Sequence, residues 1–367
     1  MQVSYLKLEN FRTYKSLEIY PTQGPNLFLG ANGQGKTNVV ESLIYSTYLQ
    51  SHRTASDTPL IHYGESQATI EIKYENINRT QNLKVYLNQE GPNQALLNNQ
   101  KLKRKQEIVG NLQTVYFSPE DLDLVRKEPA ERRKFIDRVL TQTNPKNLSI
   151  INDYEKALKQ RNHALREQLA INIIQPFTEK VIELGAQLIT NRINLIEKLQ
   201  PYFQNSYLEI SKDKTAKFYY ESSIGEFGLD LIHNQKILEE YAQIKFYEEQ
   251  RRGITLFGPH RDNLFLELNN FPALGYASHG ESWSIALSLK LATFHYLKML
   301  DIEPILILDD VFAELDDNRR KHLVEIINNT KQTFITTAVA ADIPKNLNFN
   351  KFDVLNGKIS NLGVYNE

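Results

Sequence analysis

The hydrophobic pattern of the chain changes period twice. Over the first 117 residues apolar side chains alternate or cluster in short runs: Val3, Tyr5, Leu6 and Leu8, then Leu17, Ile19 and Tyr20, then Leu27, Phe28 and Leu29. Further runs fall at Ala68–Tyr74, Leu83–Leu87 and Thr114–Phe117. A period near two, in stretches this short, predicts strands. From Ser118 to Arg252 the spacing turns helical, through Leu148, Ile151, Tyr154, Leu158 and Leu165, then Val181, Leu184, Leu188, Leu195 and Leu199. A second stripe at Ile182, Ala186, Ile189, Ile193 and Ile196 widens the apolar arc of the later helix. That predicts an antiparallel bundle rather than a long two-stranded coiled coil. Another helix, Leu231–Arg252, is expected to stop at Gly253, a natural terminator. Strands return at Ile254–Phe257 and Leu264–Leu268, before a helix near Glu281–Leu300. A buried strand at Pro304–Leu308, another at Thr333–Thr337 and a hairpin around Asn356-Gly357 close the chain. The expected architecture is α/β: a mixed unit over residues 1–117 and 254–367, interrupted by a helical lobe over 118–253.

Composition narrows the chemistry. The 367 residues amount to about two domains at roughly 150 residues each. The chain has no cysteine, which excludes disulfides, thiol catalysis and Cys-ligated zinc or iron–sulfur clusters. Its N-terminus carries no apolar signal region and no apolar run approaches the roughly 20 residues of a membrane span, so a cytoplasmic protein is expected. With 43 Lys+Arg against 44 Asp+Glu, bulk basicity gives no reason to expect nucleic-acid binding. Any such binding must come from local arrangement.

One segment carries specific chemistry. Gly30-Ala31-Asn32-Gly33-Gln34-Gly35-Lys36-Thr37 matches the GxxxxGK[ST] phosphate loop, preceded by an apolar strand and followed by an amphipathic helix containing Val39, Val40, Leu43 and Ile44. Glycines let successive backbone N–H groups turn inward toward phosphate oxygens, and the helix N-terminus adds partial positive charge. Lys36 is the candidate for neutralising β- and γ-phosphate charge, and Thr37 the candidate hydroxyl ligand of Mg2+. Far along the chain, Ile305–Leu308 is an apolar strand ending in Asp309-Asp310. Asp309, at the strand edge, is placed to hold the Mg2+ shell, and Asp310 is a candidate base or water-positioner near the γ-phosphate. His52, His260 and His279 lie in unrelated segments without metal-ligand spacing, so no transition-metal site is expected.

A phosphate loop and an acid-ended strand separated by a helical insertion resemble the ATPase heads of the ABC/SMC class. The detailed wording resembles the RecF family of bacterial recombination-repair ATPases. It matches at Leu8–Tyr14, which includes Arg12, at the loop continued through Asn38, and at Ser51–Thr54. It matches again at Phe117–Leu122, Arg132–Asp137, Gly258–Asp262, Ala277–Ser282 and Asp309–Asp316. The resemblance runs in order to about residue 337, while residues 140–250 match only in texture.

The resemblance implies an ABC-type head with a mixed sheet, binding ATP and Mg2+ through residues 30–38 and Arg12. It aligns Ser278, Gly280 and Glu281 with the signature motif, which reaches the γ-phosphate held by a second subunit. A Ser hydroxyl and the N–H groups opening a helix form a coherent anion site of this kind. Leu315-Asp316 matches the D-loop. His279-Gly280-Glu281 departs from the family's usual Gln-Gly-Gln, and a glutamate near phosphate is repulsive, so Ser278 and the backbone carry this expectation. Asp310, where transporters and SMC heads carry Glu, implies weak DNA-stimulated ATP hydrolysis suited to a clamp or timer. A transporter subunit predicts a switch histidine after Phe334-Ile335, where this chain has Thr336-Thr337.

Basic clusters stand inside the neutral total: Lys101-Leu102-Lys103-Arg104-Lys105, Arg126-Lys127, Arg132-Arg133-Lys134, Arg251-Arg252 and Arg319-Arg320-Lys321. Each reads either as a solvated face beside acids or as part of a groove lined by two closed heads. By resemblance the expected function is ATP-driven, head-to-head dimerisation on duplex DNA near single-strand gaps. It includes helping RecO and RecR load recombinase, recovery of stalled forks and SOS induction. The alternative is a nucleotide-binding scaffold or SMC-like clamp that does not bind DNA directly.

Overall fold

In the computed structural model, which describes residues 1–76, 79–103, 105–211, 214–344 and 347–365, the early alternation becomes sheet. Strands β1 (Gln2–Phe11), β2 (Tyr14–Ile19), β3 (Gly24–Leu29), β4 (Gln67–Asn76), β5 (Arg79–Asn88), β6 (Gln94–Leu97), β7 (Gln100–Lys101) and β8 (Thr114–Phe117) come first. Next are β9 (Ala216–Glu221), β10 (Asn263–Leu268) and β11 (Phe271–Pro272). Last come β12 (Ile305–Asp309), β13 (Gln332–Thr337), β14 (Phe349–Leu355) and β15 (Lys358–Tyr365).

Two compact units share these strands, one being Met1–Asp121, Glu209–Ser211 and Leu289–Glu367. It holds an antiparallel sheet ordered β2-β1-β4-β5-β6-β7 and a mixed sheet ordered β15-β14-β3-β13-β12-β8. In the mixed sheet, neighbours from β14 through β8 run parallel and only β15 is antiparallel. Parallel strands are covered on both faces and read as unbroken apolar runs. All five residues of β12 are accordingly buried. Phe28 stacks between Phe334 and Phe352, with ring centroids 6.1 and 4.8 Å apart, tying β13, β3 and β14 together. The loops after β3, β12 and β13 leave the carboxyl ends of adjacent parallel strands, where α/β folds place ligands.

The other unit is Leu122–Leu208 and Lys212–Ser288. It contains the helices Pro129–Thr143, Lys146–Arg166 and Leu231–Arg252, most of Ile171–Ile210, and a small antiparallel sheet ordered β11-β10-β9. Both apolar stripes of the long helix, from Val181 to Leu199, are buried, which accounts for its wide arc. Gly253 ends the preceding helix in the left-handed region, φ 66°, donating its N–H to Glu249 O.

Two expectations change here. Ile254–Phe257 is irregular rather than a strand, and β9 arises inside the stretch expected to be all helix. Because β10 pairs with β9, residues 254–288 fold with the helical lobe. The division expected after residue 253 therefore falls between Ser288 and Leu289, inside the helix His279–Met299. Among the described residues no helix is long and apolar enough to cross a membrane.

Candidate functional site

The loop 30–37 joins β3 to the helix Lys36–Tyr48. Gly33 and Gly35 take φ 80° and 113°, a region that side chains resist, and Gln34 N closes a turn on Ala31 O at 3.4 Å. Lys36 is buried and lays its Nζ across the loop, 3.1 Å from Ala31 O. Two outside turns grip the loop. From one, Tyr14 Oη donates to Gly35 O at 3.0 Å and Thr13 Oγ1 accepts from Asn38 Nδ2 at 2.9 Å. From the other, the hairpin tip between β14 and β15, Asn356 N donates to Gln34 Oε1 at 2.6 Å and Gly357 N to Gln34 O at 3.3 Å. A Cβ on Gly30 would lie 2.2 Å from Val354 O, and one on Gly35 would lie 2.9 Å from Thr13 Oγ1. Ala31, Asn32 and Gly33 stay exposed at the helix N-terminus, an arrangement able to receive an anion.

Thr37 and Asp309, which are 272 residues apart, meet here. Thr37 Oγ1 donates to Asp309 Oδ1 at 3.0 Å. Parallel pairing sets Thr336 opposite Asp309, and its Oγ1 donates to the same oxygen at 2.6 Å. Burial, with Asp310 and Glu120 adding to it, pushes the Asp309 carboxyl up to about 6 against the lowering hydrogen bonds from Thr336 and Thr37. Asp310 takes φ 52°, its N–H held by Thr336 O and Oγ1 at 3.2 and 3.1 Å. Thr336 and Glu120 were not among the residues expected at this site. Only the strand register reveals Thr336.

Arg12 stands beside the loop in a left-handed turn, φ 54°. Its guanidinium is engaged by buried Glu41, through Nε at 2.8 Å and Nη2 at 2.6 Å, and by Pro59 O at 2.9 Å. Glu41 also accepts from Ser51 Oγ at 2.5 Å, and Arg53 reaches Asn38 Oδ1 at 3.3 Å. Arg12 thus ties the turn Phe11–Tyr14 to the helix behind the loop.

Ser278, Gly280 and Glu281 lie in the other unit. Ser278 Oγ accepts from Glu281 N at 3.3 Å, and Glu281 Oε2 accepts from Ser278 N at 2.7 Å, a reciprocal capping box. Lys214 Nζ donates to Glu281 Oε1 at 2.5 Å. Lys214 and Ser278 hold the Glu281 carboxyl down at about 2. Both carboxylate oxygens are committed within the unit.

A model of the RecF/RecN/SMC N-terminal domain matches residues 2–353. The DNA replication and repair protein RecF of Streptomyces avermitilis is 37% identical over 371 residues, covering 98% of this chain and 99% of that protein. The chain belongs to the RecF family. Rhodococcus erythropolis RecF is 38% identical, covering 96% of this chain and 93% of its own. Solved structures of the recombination mediator protein RecF in the RecFOR pathway, as RecF-ATPrS and RecF-ATP, superpose with TM-scores of 0.91 and 0.89 at 27% and 26% identity. Each covers 98% of this chain, and 98% and 99% of the respective RecF chains. An Smc head bound to the C-winged helix domain of ScpA shares the fold at 17% identity, TM-score 0.57, covering 99% of this chain and 98% of its own.

Proposed function

We propose that this RecF-family chain binds ATP with Mg2+ at residues 30–38, closes head to head with a second copy, and in that state holds DNA during recombinational repair. The meeting of Thr37 and Asp309 at 3.0 Å carries the reading, because it joins the phosphate loop to the acidic strand. RecF relatives solved as RecF-ATP and RecF-ATPrS support the same ligand here.

The residues fit Mg2+. Thr37 and Asp309 are hard oxygen donors, and both hydrogen bonds to Asp309 come from hydroxyls; among the described residues it has no ion pair. When bound, the ion supplies positive charge against the β- and γ-phosphates. Loop N–H groups and Lys36 bind and orient the triphosphate. Asp310 acts as base or water-positioner, giving slow, DNA-stimulated hydrolysis. Ser278, with the N–H groups at Gly280 and Glu281, senses nucleotide in the second copy through the serine hydroxyl and backbone. The Glu281 side chain supports that cap rather than touching phosphate. Arg12 is the nucleotide contact beside the loop, its turn anchored to the following helix through Glu41.

In the cell this activity would serve recombinase loading at gaps together with RecO and RecR, fork recovery and SOS induction. The RecFOR pathway of the solved relatives supports that assignment.

DNA binding measured with and without ATP over a salt series tests the core reading. ATP should strengthen binding severalfold or more, and binding should weaken steeply with salt. Lys36→Met should abolish nucleotide binding. Ser278→Arg should keep ATP binding and lose the ATP-dependent dimer, read by light scattering. Equal DNA affinity with and without ATP would favour a scaffold, and normal dimerisation of Ser278→Arg would remove the trans contact.

A further inference from the structure

The turn Gly258–Asp262 in the helical lobe rests on an extensive buried polar network. Gly258 has φ 105°, a Cβ there would lie 2.7 Å from the Tyr154 hydroxyl, and Arg261 N closes the turn on Gly258 O at 2.9 Å. Beneath it Tyr154 Oη meets His260 Nδ1 at 2.6 Å. Arg192 donates to Pro259 O at 2.7 Å and to both Asp137 oxygens at 2.8 Å. Buried Asp262 accepts from the Tyr220 hydroxyl and, at 2.6 Å, from Ser222 Oγ. Desolvation offsets much of the attraction in buried ion pairs, so what such a network contributes best is fixed geometry.

Two guanidinium groups are fixed to that turn, Arg261 within it and Arg133 from the helix Pro129–Thr143. Exposed Arg261 uses only Nε, on Thr255 O at 2.9 Å, and half-buried Arg133 uses only Nη1, on Asp262 O at 2.8 Å. Among the described residues neither forms an ion pair. Both act on the ring of His260: after burial, they and Arg192 hold its pKa down at about 4. The carboxylates nearby are engaged, Asp137 by Arg192 and Asp262 by the two hydroxyls. Arg133 itself is lowered, by burial first and Arg192 next, against the raising effect of Asp262 and Asp137. Its sequence neighbours are committed: Arg132 to Asn263, Leu124 O and Lys127 O, and Lys134 to Glu131.

We propose that Arg133 and Arg261 form an anion site for a phosphodiester of the DNA backbone, an inference that rests on the DNA-binding reading above. Guanidinium forks suit phosphate oxygens, and such contacts position a duplex without reading its sequence.

The test is duplex affinity with ATP across a salt series, for wild type, Arg261→Ala, Arg261→Lys and Arg133→Gln/Arg261→Ala. The slope of log affinity against log salt should fall by about one for Arg261→Ala and about two for the double variant, and Arg261→Lys should retain it. ATP binding and ATP-dependent dimerisation should remain at wild-type levels. An unchanged slope in folded Arg261→Ala, or loss of dimerisation alongside loss of DNA, would overturn the site. Absence of DNA binding by wild type would instead overturn the functional reading beneath it.

Discussion

Ser278 and Glu281 cap each other at the start of the helix His279–Met299. The motif Ser-His-Gly-Glu is legible as a helix start with an anion site, but the direction of the Glu281 side chain is not. It turns back to Ser278 N and out to Lys214, so both carboxylate oxygens are engaged within the unit. Glu281→Ala should cost about 1 kcal/mol at pH 7 by removing the box and a favourable charge at the helix start. Glu281→Gln should keep only the smaller share that closing the box supplies, because it gives up the charge that pairs with Lys214 and favours the helix start. The folded pKa of about 2 lies below the ordinary 4.5, so the carboxylate contribution is complete above about 4.5 and lost as pH falls through about 2. Urea titrations of wild type and Glu281→Ala should therefore differ constantly from pH 8 to 5 and narrow as pH falls from about 4.5 toward 2. A constant difference down to pH 3 would exclude the ion-pair account. Arg12 is alike in this: its place in a family motif does not disclose that Glu41 engages its guanidinium.

At the scale of elements, period alone located most strands and helices, including the hairpin at Asn356-Gly357, whose two positive φ values permit a tight turn. Period could not say that this tip would reach back 322 residues to hold Gln34. Nor did it reveal β9, six residues among helices, although Ala216 and Phe218 alternate inward with exposed Lys217 and Tyr219. A strand that short is recognisable mainly by its partner, and β10 begins 42 residues after β9 ends, at the pair Asn263↔Glu221. The glycines of the phosphate loop separate by the same logic of partners. Gly30→Ala forces Val354 O aside from 2.2 Å and should cost roughly 3 kcal/mol, because backbone must move. Gly33→Ala meets nothing within 4 Å and should cost only about 1 kcal/mol, for its left-handed φ. Equal losses in a urea titration would show that β14 yields freely and does not pin the loop.

At the scale of the whole molecule the formal charge of −1 bears directly on the proposed function. A monomer with no basic excess has weak long-range attraction for DNA, so the proposed function relies on local patches, which the proposed closure of two copies on ATP would combine. Dimerisation then makes occupancy depend on the square of protein concentration below the dimer dissociation constant, whereas a monomeric binder gives first-order dependence. Duplex occupancy titrated with ATP should rise with a log–log slope near two at low protein. Lys36→Met should show weak, first-order binding, and its difference from wild type should vanish when ATP is omitted. Asp310→Asn extends the same reasoning in time: if Asp310 promotes hydrolysis, the variant should bind with the same slope but leave DNA severalfold more slowly after ATP is withdrawn. First-order binding by wild type in ATP would mean that one copy suffices, and the near-neutral surface would then have to concentrate its charge on a single face.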